Sequence, residues 1–84
     1  MAQSKPVPRR INGERLAEIR IDQGLTIADL ARMSGHHYQT IRRIEIEARN
    51  ASAVATSRIA RALRVPVTEL RKPAGAPVRE RKAA

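Results

Sequence analysis

The chain has no cysteine, tryptophan or phenylalanine, and Tyr38 is its only aromatic residue. Without cysteine there is no disulfide framework, no thiolate zinc site and no thiol nucleophile, which suits a reducing cytoplasm. Apolar runs are only a few residues long, and the first ten residues lack the apolar stretch of a signal peptide. We therefore expect a cytoplasmic protein that is neither exported nor inserted in a membrane.

The small size of the chain limits the kinds of function it can have. A chain of 84 residues forms one domain at most and leaves no room for a catalytic cleft beside a core. His36 and His37 are adjacent, so they point in different directions, and neither a carboxylate pair nor a cysteine accompanies them. We expect a binding module with no enzymatic activity, metal, cofactor or small-molecule ligand.

Positive charge is abundant, with a formal net charge of +9 at pH 7. Each terminal segment, 1–10 and 72–84, contributes +3, and ten arginines against seven acidic residues between them contribute the remaining +3. This balance favours a polyanion such as nucleic acid as partner. Sequence specificity would have to come from a few placed side chains.

Prolines near both ends interrupt regular structure. Arg9 and Arg10 lie just ahead of the first predicted helix, where they could follow a DNA duplex or enter its minor groove, or remain solvated. The predicted division is a flexible basic arm over 1–10, a folded domain over 11–71 and a flexible basic tail over 72–84.

Helix boundaries in the first half are marked by capping residues. Asn12 is a good N-cap for helix 1, and Gly24 supplies a left-handed residue at its end. Thr26 and Asp29 have the spacing of a capping box at the start of helix 2. Gly35 permits the positive φ of a sharp turn into helix 3. Helices 2 and 3 thus have the layout of a helix-turn-helix, whose second helix enters the major groove of DNA.

Helix 3 is predicted to run from about His37 to Glu45. At 100° per residue its faces separate into an apolar and a polar side. Any surface helix has a polar face, but the preceding helix, the glycine and the donor chemistry favour a recognition helix. The inward side comprises Thr40, Ile41 and Ile44, and the outward arc comprises Tyr38, Gln39, Arg42 and Arg43.

Two further helices complete the prediction. A fourth is expected over about 53–64, and a fifth, short one should start with Pro66 at its first position and end at Leu70. The predicted fold is all-α, with five helices around a small aliphatic core.

Residues 13–70 carry a set of short elements, among them Gly24-Leu25-Thr26, Gly35 and Arg43-Ile44-Glu45, by which they resemble the Cro/C1-type (XRE) helix-turn-helix family of bacterial and phage repressors. The resemblance implies a lambda-repressor-like fold that binds double-stranded DNA through helix 3. It also implies an ion pair between Arg20 and Glu45, both structural, that ties helix 1 to the recognition helix. The matching elements are Arg20, Gly24-Leu25-Thr26, Leu30-Ala31, Gly35, Thr40-Ile41, Arg43-Ile44-Glu45, Arg58-Ile59-Ala60-Arg61-Ala62-Leu63 and Glu69-Leu70.

The chain departs from the family pattern at several positions near the expected DNA contacts. Ile27 replaces a glutamine that often holds a phosphate, so that contact cannot be transferred. Histidines stand where a small aliphatic residue and a serine or threonine cap are usual, and the packed, neutral state is favoured for His36. Glu47 replaces a frequent glycine after helix 3, and Ala51 a proline before helix 4.

Side-chain chemistry suggests a role for each exposed group. Arg43 matches the two acceptors of guanine, and Gln39 can pair with adenine or orient Arg43 or a phosphate. Tyr38 is suited to a phosphate or a thymine methyl group, or alternatively covers part of helix 2. The predicted base contacts are Tyr38, Gln39 and Arg43, and the predicted phosphate contacts are His37, Thr40, Arg42 and Arg49.

The resemblance implies a Cro-like or immunity-type repressor of a phage or bacterial mobile element. One recognition helix reads few base pairs, so we expect a homodimer on a pseudo-palindromic operator, weakly associated without DNA. The segment 63–70, with Val65 and Val67 exposed, is the predicted dimer contact. The alternative is an antitoxin or adaptor that uses the same helical core.

Overall fold

The computed structural model describes residues 10–79, so Arg9 and most of the predicted basic arm lie outside the described residues. These residues form four α-helices and one 3-10 helix, with no strand among them. The all-α prediction is therefore right, but the count of five helices is not matched exactly, because the fifth element is a 3-10 helix and only four are α-helices. The elements are α1 (Gly13–Asp22), α2 (Ile27–Ser34), α3 (Tyr38–Ile46), α4 (Ala53–Leu63) and the 3-10 helix (Val67–Arg71).

The capping residues define the first two helices as predicted. The Asn12 side chain accepts hydrogen bonds from the amides of Glu14 and Arg15, at 3.0 and 3.3 Å. Thr26 and Asp29 form a reciprocal capping box, with distances of 2.9 and 3.0 Å. These side chains satisfy amides that have no partner within the helix, so each helix has a fixed first residue.

Glycines allow the sharp turns that follow α1 and α2. Gly24 has φ +73° and Gly35 has φ +75°, a conformation that costs other residues about 1–2 kcal/mol. Only His36 and His37 separate Gly35 from α3. The short turn fixes the direction of α3 relative to α2.

The core lies where α2 packs against α3 and α4, and α1 packs against α3. The 3-10 helix closes it by contacting α1 and α4. Gly13 lets α1 approach α3 closely, because a Cβ there would collide with the carbonyl oxygen of Ile44. The buried apolar residues are Ile11, Leu16, Ile19, Leu30, Ala31, Ile41, Ile44, Ile59, Ala60, Leu63, Val65 and Leu70.

The end of the domain differs from the prediction. Pro66 is the N-cap of the last helix rather than its first residue, and that helix is 3-10. Val65 is fully buried and Val67 is partly buried, so the predicted exposure of these two valines at the candidate dimer contact over 63–70 is wrong. Arg64 adopts a left-handed conformation, φ +57°, which turns the chain and directs Val65 into the core.

A buried arginine, which the sequence analysis missed, anchors the C-terminal segment. Arg15 is fully buried and pairs with the carboxylates of Glu69, at 2.9 Å, and Glu18, at 2.6 Å. It also donates to the backbone carbonyls of Glu69, Ala76 and Pro77. Five acceptor contacts on one guanidinium group offset the large cost of burying its charge.

Residues 75–79 consequently contact the folded domain, whereas the prediction assigned them to a flexible basic tail over 72–84. The amide of Gly75 donates to Glu18, and the amide of Arg79 donates to Glu69. Burial raises the pKa of Glu69, but hydrogen bonds from Lys72 and the Arg79 amide outweigh it and hold the pKa below its ordinary value. The carboxylate is therefore kept charged inside the domain.

Candidate nucleic-acid interface

The polar arc of α3 faces outward. Tyr38 is 49% exposed, Gln39 and Arg43 are also exposed, and Arg42 is half-buried. On the opposite side of the helix Ile41 is fully buried. The helix therefore has the two faces that the sequence predicts, and four polar side chains with donor groups lie on its accessible side.

An ion pair fixes the C-terminal end of α3 to α1. Nε and Nη2 of Arg20 each donate a hydrogen bond of 2.8 Å to the Glu45 carboxylate, and Nη1 donates a bond of 2.7 Å to the Leu25 carbonyl oxygen. The side chains are only 11% and 3% exposed, respectively. Hydrogen bonding to Glu45 raises the pKa of Arg20, outweighing the opposite effect of burial. The pair therefore fixes the end of α3 to α1 without using any side chain of the polar arc.

A groove of about 310 Å³ separates the polar arc from the start of α4. Arg43 and Thr40 line it from α3, and Arg49, Asn50 and Ser52 line it from the opposite side. Guanidinium, amide and hydroxyl groups are hydrogen-bond donors suited to anionic oxygens. Arg43 thus borders both the exposed face of α3 and this groove. Sequence reasoning did not assign Asn50 or Ser52 to the DNA interface, although they follow Arg49 by one and three residues.

The loop between α3 and α4 concentrates charged groups. Glu47 lies 3.6 Å from Arg42 and 3.8 Å from Arg49. Arg10 donates a hydrogen bond of 2.7 Å to the carbonyl oxygen of Ala48. The start of the folded chain therefore lies beside the loop that carries Arg49. The signal that was missed is the placement of the acidic Glu47 between basic residues that the sequence assigns to phosphates.

The remaining predicted site residues lie around the turn before α3. His37 is the exposed N-cap of α3 but makes no side-chain capping bond, and Thr40 is half-buried at the groove. His36 is partly packed, and its buried Nε2 has no hydrogen-bond partner among residues 10–79. Ile27, which replaces the family glutamine, packs against the core.

The described residues were also examined for a metal-binding cluster and for a helix that could span a membrane. Within residues 10–79 there is no group of three or more histidine, aspartate or glutamate residues placed to hold a metal ion. No helix in that part of the chain is long and apolar enough to span a membrane.

Three solved structures share this architecture. C.AhdI, a restriction-modification controller protein from Aeromonas hydrophila, is 36% identical, with a TM-score of 0.67 over 69% of this chain and 88% of that one. The N-terminal DNA binding domain of SinR from Bacillus subtilis has a TM-score of 0.69 at 23% identity, covering 76% and 94%. The clp gene regulator ClgR from C. glutamicum has a TM-score of 0.66 at 24% identity, covering 79% and 86%. At those lower identities SinR and ClgR support the fold alone.

A family model, but no individual curated protein, matches the sequence. A search of the curated proteins found no significant match. The model of the helix-turn-helix family matches residues 16–70, which include the α2 and α3 pair and the Arg20 to Glu45 ion pair. The chain belongs to the XRE-type helix-turn-helix family of DNA-binding regulators, which are not enzymes.

Proposed function

We propose that the protein is a sequence-specific transcriptional regulator that binds double-stranded DNA, acting as a Cro-like repressor in the bacterial cytoplasm. The observation that carries the proposal is the exposed polar arc of α3, a helix that the mostly buried Arg20 to Glu45 ion pair fixes to α1. A rigid helix that presents such donors suits the major groove, which is wide enough to admit it. Occupation of a promoter would exclude polymerase.

Each side chain of the interface has a proposed role. Arg43 and Gln39 contact bases, as guanidinium and amide groups match guanine and adenine, respectively, and Tyr38 contacts a thymine methyl group or a phosphate. The remaining polar groups position the protein on the backbone without reading sequence. The proposed phosphate contacts are His37, Thr40, Arg42 and Arg49, with Arg9 and Arg10 as a possible arm.

A homodimer on a pseudo-palindromic operator is the proposed assembly, since one α3 helix reads only a few base pairs. The subunits would associate weakly without DNA. Sedimentation of the free protein tests this, and a tight dimer at nanomolar concentration would contradict it.

Selection of bound sequences from random duplex DNA, repeated with two arginine variants, tests the main proposal. Arg43→Ala should lose about 1–3 kcal/mol of binding free energy on selected sites and relax the choice at one position. Arg49→Ala should weaken all sequences alike and reduce the salt dependence, d log K/d log[salt], by about one. Because Arg43 also borders the groove, equal losses on every sequence for both variants would remove it from base readout.

A second candidate function is control of restriction-modification genes, which is favoured by the 36% identity to C.AhdI, a restriction-modification controller protein. The same selection distinguishes it, because the selected sites would then lie upstream of restriction-modification genes in the host genome. The antitoxin alternative is weaker, since residues 75–79 pack on the domain instead of being available to wrap a partner.

A further inference from the structure

Glu47 places a negative charge within the basic surface after α3. Its carboxylate lies 3.6 Å from Arg42 Nη1 and 3.8 Å from Arg49 Nε. All three side chains are solvent-accessible, with exposures of 42%, 41% and 67%, respectively. One carboxylate thus lies between two arginines, both of which are proposed phosphate contacts.

Backbone hydrogen bonds determine where Glu47 lies. The amides of Glu47 and Arg49 both donate to the carbonyl oxygen of Arg43, at 3.0 and 3.1 Å. Between them Ala48 is in the left-handed region, φ +54°, and its carbonyl oxygen accepts the hydrogen bond from Arg10. The loop therefore holds Glu47 and Arg49 close together beside the end of α3.

We propose that Glu47 is an internal competitor for DNA phosphate, an inference that rests on the proposed function. A carboxylate and a phosphate offer the same kind of acceptor to a guanidinium group. In the free protein Glu47 attracts Arg42 and Arg49, and in the complex those groups must turn to phosphate while the carboxylate remains close to the DNA. Glu47 thereby reduces affinity for all sequences and leaves their order unchanged.

The geometry indicates modulation rather than a block. Exposed ion pairs at such distances are weak, at about 0.2–1 kcal/mol, which corresponds to roughly 1.4- to 5-fold in affinity. The same attraction also decreases with salt, because screening weakens exposed pairs. A competitor of this strength moderately lowers the salt concentration at which the protein leaves DNA.

Glu47→Gln tests the proposal, since it removes the charge and retains the size and polarity of the side chain. The variant should bind every duplex about two- to fivefold more tightly near 0.1 M salt. Its plot of log K against log salt should be steeper by up to about 0.9, the value for one additional neutralised phosphate. The sequences that it selects should be those of the unaltered protein.

Asp22→Asn is the matched control. It makes the same change in net charge, but Asp22 is exposed at the end of α1, in a groove with Glu18 and the C-terminal segment. Its affinity and salt slope should remain close to those of the unaltered protein. Thermal unfolding of both variants, followed by circular dichroism, checks that the fold is retained.

A mutant cycle connects the effect to the two arginines. In a background with Arg42→Ala and Arg49→Ala, with both backgrounds compared at the same salt concentration, Glu47→Gln should increase affinity less than it does in the unaltered protein, because only the direct repulsion between the carboxylate and phosphate remains. Unchanged binding by Glu47→Gln alone, or the same gain from Asp22→Asn, would overturn the proposal even if the unaltered protein binds its operator. Failure of the proposed function is a separate result, namely no preference of the unaltered protein among duplexes.

Discussion

Removing the carboxylate of Glu45 should severely destabilise the domain. In Glu45→Ala the Arg20 guanidinium loses two hydrogen bonds of 2.8 Å and keeps only the bond to the Leu25 carbonyl. Since Arg20 is only 11% exposed, little water can replace the lost acceptor. The variant leaves a mostly buried positive charge without its partner.

The expected loss is large relative to the stability of such a domain. Breaking a buried ion pair by removing one partner costs about 3–5 kcal/mol. The remaining exposure and the bond to Leu25 favour the lower end, about 3 kcal/mol. A domain of this size has a free energy of unfolding of roughly 4–10 kcal/mol, so the variant loses a substantial fraction of it.

Urea unfolding followed by far-ultraviolet circular dichroism measures the loss. Arg20→Met, Glu45→Met and the double variant that combines them complete the test, because replacing both charges with apolar groups should cost much less than removing one. A loss below about 1 kcal/mol for Glu45→Ala, the value of an exposed pair, would refute the reasoning. Strictly additive losses in the double variant would refute the coupling.

Two further predictions concern backbone space and acid stability. Gly13→Ala should cost more than Gly35→Ala in urea unfolding, since the new methyl group collides with the Ile44 carbonyl. Gly35→Ala meets no atom and pays only about 1–2 kcal/mol for its positive φ, so a reversed order would contradict this account. The pKa of Glu69 is lower in the folded protein than in the unfolded chain, so at a pH between the two values unfolding takes up a proton. The Glu69 carboxylate therefore contributes to stability above the ordinary glutamate pKa of about 4.3, and this contribution disappears as the pH falls through the lower folded value. Glu69→Gln should therefore lose less stability than the unaltered protein between pH 7 and pH 3, and equal losses would show that this carboxylate is not responsible.

Local signals in the sequence were sufficient to predict most of the helices. Asn12, Thr26 with Asp29, and Gly35 act within a few residues of the backbone that they cap or turn, so their effect can be read without tertiary structure. The apolar period of α3 likewise predicted which side is buried. The Arg20 to Glu45 pair came from the family resemblance rather than from spacing.

Long-range contacts could not be predicted in this way. Arg15 is a charged residue of α1, a type that is usually exposed. It is buried because Glu69 and residues 76–77, which are far along the chain, contact its guanidinium group. Val65 is buried because Arg64 adopts a left-handed conformation. Glycine and asparagine are the residues that usually adopt this conformation, so an arginine gave no reason to predict it. These features depend on how distant segments meet.

The contacts of Arg15 affect how the domain should be delimited for expression. The family model ends at residue 70, whereas the carbonyl groups that complete the shell of Arg15 belong to Ala76 and Pro77. A fragment that ends at residue 70 would retain Arg15 and lose these two acceptors. We therefore expect it to be less stable than the longer chain, although its end agrees with the family match. Expression boundaries and C-terminal affinity tags should therefore follow Arg79, whose amide also donates a hydrogen bond to Glu69.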